Sequence, residues 1–187
     1  FDLNFLMKDP GIETRQGWSE KPKIEYSCCE YWQQTFDFNQ TLEEMPAGTY
    51  KLTAQAFQRP GYIYNVYNDY QNGINDVNSL LYINNQGVKV KHIASEAKKR
   101  QLCEDDVAVG NPTVDLPNTM EGASIYFQRR NYDNELYVTI KEDLTDLQLG
   151  IKCDNAPGDY WTIFDNFNLY YYGSMTKDEV TDIQGVE

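Results

Sequence analysis

The chain has 187 residues, 41% of them hydrophobic, enough for one buried core and a single domain. A formal net charge of −13 weighs against nucleic acid and anionic membrane surfaces, both of which need clustered Lys and Arg, and no run approaches membrane-spanning length. The 15 tyrosines lift the aromatic fraction to 14%, which favours strands and also supplies the contact residues of sugar sites.

Phe1 to Met7 is apolar enough for a first strand, and Pro10-Gly11 breaks it. Glu13 to Lys23 reads as a polar loop holding Trp18, and Ile24 to Cys29 as a short strand. Trp32 to Leu42 alternates, with Phe36, Phe38, Gln40 and Leu42 on one face. Met45-Pro46-Ala47-Gly48 is a turn, and Thr49 to Arg59 alternates again, with Tyr50, Leu52, Ala54 and Ala56 opposite Lys51, Thr53, Gln55 and Phe57. Two such runs joined by a short turn predict an antiparallel hairpin.

Arg59 to Asn78 carries Tyr62, Tyr64, Tyr67 and Tyr70 among Asn, Asp and Gly, and reads as a long ordered loop. Leu80 to Ile93 predicts a second hairpin turning at Asn84-Asn85-Gln86-Gly87. Ala94 to Leu102 suits one or two helical turns, Glu104 to Asn118 a second long loop, and Thr119 to Arg130 a short helix. A third hairpin is predicted from Glu135–Lys141 and Leu147–Lys152, with Leu136, Val138 and Ile140 facing Leu147, Leu149 and Ile151. Beginning at a loop that holds Asp159, Tyr160 and Trp161, Trp161 to Gly173 then reads as the closing strand. In it Asp165 shares the parity of Ile163, Phe167 and Leu169, so a carboxylate on the inward face needs hydrogen bonds, a cation, or a bulge that turns it outward. The expected core comprises Phe167, Leu169, Leu52, Ala54, Leu136, Val138 and Leu149.

Four stretches carry a resemblance: Trp161 to Gly173 (W-T-I-F-D-N-F-N-L-Y-Y-Y-G), Lys8 to Glu13 followed by Gly17-Trp18, Phe38 to Leu42 followed by Pro46 to Tyr50, and Tyr132-Asp133-Asn134 into Leu149 to Lys152. Together they resemble the galactose-binding-like jelly rolls that serve as carbohydrate-binding accessory modules in secreted and surface proteins of gut Bacteroidetes. Asp9 stands where that pattern has Asn, and Ile12 where it has Phe. The resemblance implies an all-β, two-sheet antiparallel jelly-roll β-sandwich with one or two short helices over residues 1–173. The polar stretch 174–187 reads as a linker or tail to a further domain or anchor. Phe1 opens the chain without a methionine, as in a processed or trimmed protein.

The resemblance also implies a structural calcium ion (Ca2+) where an acid of the opening strand meets one of the closing strand. Glu13 and Asp165 match those positions, with Asp9 nearby; the alternative is that Asp165 accepts backbone N–H bonds or caps a turn. A glycan or polysaccharide site is expected from aromatic rings that stack on sugar C–H faces beside planar polar groups. Arg59, Tyr62 and Tyr64 in one loop and Asp159, Tyr160 and Trp161 in another offer both, and the sheet face with Thr53, Gln55 and Phe57 is a further option. The alternative is aromatic packing under long loops in an adhesive or structural module making protein contacts. A glycoside hydrolase would need two acids flanking a cleft; Glu43-Glu44 and Asp105-Asp106 are adjacent acids that read as solvated runs, so no enzyme is expected. Cys28, Cys29, Cys103 and Cys153 form no C-x-x-C zinc pair. A Cys103–Cys153 bridge is open, with buried free thiols preferred. His92 reads as a strand residue, surface or half-buried.

Overall fold

The strands and helices follow the chain as β1 (Lys23–Glu25), β2 (Cys28–Trp32), β3 (Phe36–Met45), β4 (Gly48–Pro60), α1 (Ile63–Gln71), β5 (Leu80–Ile83), β6 (Gln86–Lys89), β7 (Lys91–His92), β8 (Val107–Val109), β9 (Val114–Leu116), α2 (Met120–Gln128), β10 (Asp133–Ile140), β11 (Thr145–Cys153), β12 (Tyr160–Tyr171) and α3 (Lys177–Val186). This computed structural model describes residues 1–186. A six-stranded sheet runs β1-β2-β12-β4-β10, with β7 alongside β4, and a four-stranded sheet runs β3-β11-β5-β6. All pairs are antiparallel except the short β4–β7 pair.

The two sheets share one apolar core. Leu52, Ala54, Leu136, Val138, Phe167 and Leu169 come to it from the larger sheet, and Phe38, Leu81, Ile83, Leu149 and Ile151 from the smaller. Every residue expected in the core is there. Trp18, expected in a loop, closes one part of it by stacking on Phe38 at 4.4 Å between ring centres.

Two of the three expected hairpins are corrected. β3 pairs with β11, whereas β4 pairs with β12 and β10, so the turn at Met45–Gly48 carries the chain from one sheet to the other. β10 and β11 are likewise split between sheets; their apolar faces do meet, but across the core rather than within a ladder. Alternation with period two is the same for a hairpin and for an arch between sheets, so it does not distinguish them. The two crossings brace each other: Asp143 Oδ1 accepts from the Ala47 N–H at 2.8 Å, and Asp146 Oδ1 from the Glu44 N–H at 3.0 Å. The remaining hairpin is β5–β6, after which β7 leaves to run parallel to β4.

β12 lies between β2 and β4, and its register shifts between Asp165 and Asn168, with Asn166 at φ 53°. Trp161 and Ile163 belong to an outer cluster, while Phe164, Phe167 and Leu169 belong to the inner core. The inward parity therefore changes from even to odd across this bulge, and by alternation Asp165 falls with the outer-facing Trp161 and Ile163. Beyond the bulge the first residues of the chain take the place of β2, through Leu3 N to Leu169 O and Tyr171 N to Phe1 O, both 2.8 Å. They do so as an isolated bridge and a 3₁₀ turn rather than the expected strand.

The sequence does not foreshadow a second core on the outer face of the six-stranded sheet. Phe57, Trp161 and Ile163 project from the sheet into Ile63 and Val66 of α1, Ile93, Val114 and Leu116, and Met120, Ala123, Tyr126 and Phe127 of α2. The region 59–78 expected as a loop thus holds a helix, and the loop 104–118 holds the β8–β9 hairpin. The tail expected as a linker folds back as α3, with Val180 buried and Gln184 bonded to the hydroxyls of Tyr137 and Tyr172. Glu187 lies outside the described residues. All four cysteines are buried and free.

Candidate functional site

A pocket of about 490 Å³ opens on the outer face of the six-stranded sheet. Its walls follow from alternation in three adjacent strands. Glu30 and Trp32 come from β2, Arg59 from β4 and Trp161 from β12. Lys23 and Glu25 of β1 extend the rim on one side, Asp105, Asn118 and the first turn of α2 on the other. β1 and β2 are joined by the two residues Tyr26 and Ser27, both at positive φ (52° and 61°), the backbone of a tight hairpin turn. That turn sets the exposed Tyr26 ring at the mouth. Trp32 sits directly opposite Trp161 in the β2–β12 ladder, so both indoles emerge on the same face. They differ in exposure: Trp161 is 4% exposed and Trp32 53%.

Trp161 is the floor. Its ring lies edge-on to Phe57, the Arg59 guanidinium sits 5.4 Å from its centre, and its Nε1–H donates to Glu30 Oε2 at 2.7 Å. Arg59 is buried and held by carbonyls: Nε donates to Gly61 O at 3.0 Å, Nη2 to Asp159 O at 2.9 Å, and Nη1 to Asn118 Oδ1 at 3.3 Å. Burial lowers its pKa, and the charges of Asp159 and Glu30 offset part of that. Thr119 caps α2 by accepting from the Gly122 N–H at 3.0 Å, which fixes where Glu121 leaves the helix.

Of the residues expected to bind a ligand, Arg59 and Trp161 line this pocket, and Asp159 lies outside the lining, its backbone carbonyl holding the Arg59 guanidinium. Trp161 is corrected from an exposed platform to a buried floor. Tyr62 and Tyr64 are exposed and pair with each other at 5.4 Å by the start of α1, outside the pocket lining. Tyr160 turns away and its hydroxyl donates to Asp76 O at 3.4 Å. Trp32, Tyr26, Glu30, Asn118 and Glu121 were not singled out by the sequence. The one signal for Trp32 is its register opposite Trp161, which only strand pairing reveals. On the same sheet face a second groove of about 740 Å³ includes Thr53 and Gln55, but Phe57 is fully buried away from it. There Gln55 is already committed, accepting from Asn166 Nδ2 at 2.8 Å and donating to Phe127 O at 2.6 Å.

Asp9 holds its own loop together. Its carboxylate accepts from the N–H groups of Glu13, Thr14 and Arg15 at 2.9, 2.9 and 2.6 Å. Burial works to raise its pKa, and these bonds hold it below the usual value. Asp165 is buried at the bulge with a single bond from the Asn166 N–H at 2.7 Å. Burial pushes its pKa up to about 7; the Asn166 bond opposes this, and the nearby charges of Glu13 and Asp9 add to it. Glu13 Oε2 accepts from the Ser27 hydroxyl at 3.4 Å. Among the described residues, the one group of three acid or thiol side chains with ligand atoms all within 4.8 Å of one another is instead Cys103, Asp105 and Glu121. Glu43 and Glu44 are both exposed, whereas Asp106 is buried beside exposed Asp105. His92 is corrected to a buried residue whose ring lies tilted against Tyr70, and burial lowers its pKa to about 4. Among the described residues, no helix is long and apolar enough to cross a membrane. Comparison of the chain with models of known families, with curated proteins and with solved structures finds no match.

Proposed function

We propose that the chain is a non-catalytic carbohydrate-binding module of a secreted or surface protein, built as a jelly roll, with its sugar site in the pocket beneath Trp32. The observation that carries this reading is the half-exposed Trp32 indole standing over a rigid polar floor. A sugar ring stacked on Trp32 and flanked by Tyr26 would place its hydroxyls near Glu30, Asn118 and Glu121. Arg59 and Trp161 are fixed by their own hydrogen bonds, so binding orders few side chains. The jelly-roll reading is supported by the two crossings between sheets and by the central place of β12. For calcium, the residues fit in part: Asp165 is buried with one hydrogen bond and two acids nearby, as an ion ligand would be, while Asp9 serves its loop. Asp165 and Glu13 would hold such an ion, and its charge would offset their mutual repulsion.

A second reading, a module making protein contacts, is favoured by the burial of Trp161, which gives that residue a packing role of its own. A glycan array followed by calorimetry on the wild type and Trp32→Ala separates the two. Binding of a glycan that Trp32→Ala removes supports the sugar site. No binding across a broad panel, with Trp32→Ala folded as the wild type, leaves the protein-contact reading.

A further inference from the structure

We propose that Cys103, Asp105 and Glu121 bind a zinc-class divalent cation beside the pocket. The ligand atoms of these three side chains lie within 4.8 Å of one another. Zinc takes sulfur at about 2.3 Å and carboxylate oxygen at about 2.0–2.2 Å, which sets tetrahedral ligand atoms about 3.5 Å apart, so the side chains must close by up to about 1 Å. Asp105 and Glu121 are exposed and free to turn, while Cys103 is held by the fold at 8% exposure. Cys28 and Cys153 donate their thiols to backbone carbonyls, at 3.2 and 3.3 Å; among the described residues the Cys103 thiol has no such partner.

A separate observation points to a ligand at this place. Asp106 is 9% exposed, and its Oδ1 is the one buried side-chain oxygen or nitrogen without a hydrogen-bond partner among the described residues. The other oxygen, Oδ2, accepts from the N–H groups of Leu102 and Cys103 at 2.9 and 3.0 Å and so sets the turn that presents the thiol. Oδ1 faces the first turn of α2, next to Glu121. A Cβ placed on Gly122 would stand 3.1 Å from Asp106 Oδ1 and 3.7 Å from Cys103 Cβ, so the glycine keeps the space between them open. An unpaired buried carboxylate oxygen is costly, and a water on an ion held by the three side chains would supply what it lacks. The positive end of α2 opposes a cation here, but three carboxylates and a thiolate outweigh that half charge.

The donor set selects the metal. A thiolate favours zinc or cobalt over calcium and magnesium, which take oxygen. On binding, the Cys103 S–H bond breaks, the sulfur–metal bond forms, and the proton leaves to solvent, so affinity rises with pH. Asp105 and Glu121 also line the sugar pocket, but the test stands apart from the glycan reading, because no sugar enters it.

The full chain, stripped with chelator and kept reduced, is titrated with Co2+ as a spectroscopic probe and then with Zn2+. A thiolate-to-cobalt charge-transfer band in the near ultraviolet is expected, removed by Zn2+ and unmoved by excess Ca2+. Cys103→Ser should abolish the band. Glu121→Gln, at an exposed position, should weaken binding about tenfold or more with the fold intact, and Asp106→Asn about 10–100-fold with the band retained. No band at millimolar cobalt, a band that survives Cys103→Ser, or displacement by calcium overturns the proposal. If Cys103→Ser fails to fold, unchanged binding by Glu121→Gln overturns it equally.

Discussion

Replacing Asp165 by Asn should stabilise the protein at neutral pH in the presence of chelator. The carboxyl is buried at the β12 bulge, accepts one hydrogen bond, and has Glu13 and Asp9 for neighbours. Its pKa rises from 3.8 to about 7, so folding favours the protonated form. The stability from this group is complete below pH 3.8, is lost between 3.8 and about 7, and is gone above that. At 1.36 kcal/mol per pH unit the loss is about 4 kcal/mol. Asn keeps an oxygen for the Asn166 N–H and brings N–H donors toward the two acids, without a charge to bury. The melting temperature of Asp165→Asn minus that of the wild type should therefore be near zero at pH 4 and reach about 10 °C at pH 8. Thermal unfolding by circular dichroism across that range in chelator reads the difference directly. A difference independent of pH, or a wild type more stable than the variant at pH 8 without divalent ions, refutes the reasoning. Calcium added at pH 8 should raise the wild type alone if Asp165 holds an ion by mass action.

Trp161→Ala should cost about 3–5 kcal/mol as a core truncation, read by denaturant unfolding, and Trp32→Ala should leave the midpoint nearly unchanged. In the sugar assay Trp32→Ala should lose about 2 kcal/mol or more, about thirtyfold in affinity, with little dependence on salt because stacking carries it. Gly150→Ala should leave little folded protein in a melting or solubility assay: a Cβ there would stand 2.0 Å from Phe38 O, and the middle strand of the smaller sheet has no room to move. His92 is kept neutral by burial, with a folded pKa near 4 below its ordinary 6.5, so its share of stability should be present above pH 6.5 and be lost as pH falls through 4. His92→Gln should flatten that acid limb.

The strands were legible because alternation survives wherever one face is buried: Leu52 and Ala54, Leu136 and Val138, and Leu149 all fall where their period places them. Connectivity was not, because Met45–Gly48 and the chain between Ile140 and Thr145 look like hairpin turns and act as crossings. The helix α1 leaves only a weak trace in the sequence. Ile63, Val66, Tyr67 and Tyr70 stand at i, i+3, i+4 and i+7, but two of the four are tyrosines among Asn and Asp and did not register as an apolar stripe. The parity of Asp165 leaves a bulge as one of three options, and the fold takes that one, though nothing in the local residues selects it. For the candidate site, Arg59 and Trp161 were found as residues but not as a floor. Trp32 and Tyr26, from one hairpin, meet Glu121, far along the chain, only through strand pairing and the packing of α2.

The central position of β12 has a consequence for how the chain reaches this structure. β12 bonds on one side to β4 and on the other to β2 and then to the first three residues, so the larger sheet stays in two unjoined parts until β12 has been made. β3 and β4, consecutive in the chain, do not stabilise each other as a ladder, and neither do β10 and β11. Few early contacts reward the closure of long loops, which places this protein among the slow folders, with rates of ms to s expected of such topologies. During synthesis, β2 and β4 wait with open edges while more than half the chain is still to come. The interval in which a chaperone or an unwanted strand can claim those edges is set by the time the ribosome takes to reach Tyr160–Tyr171.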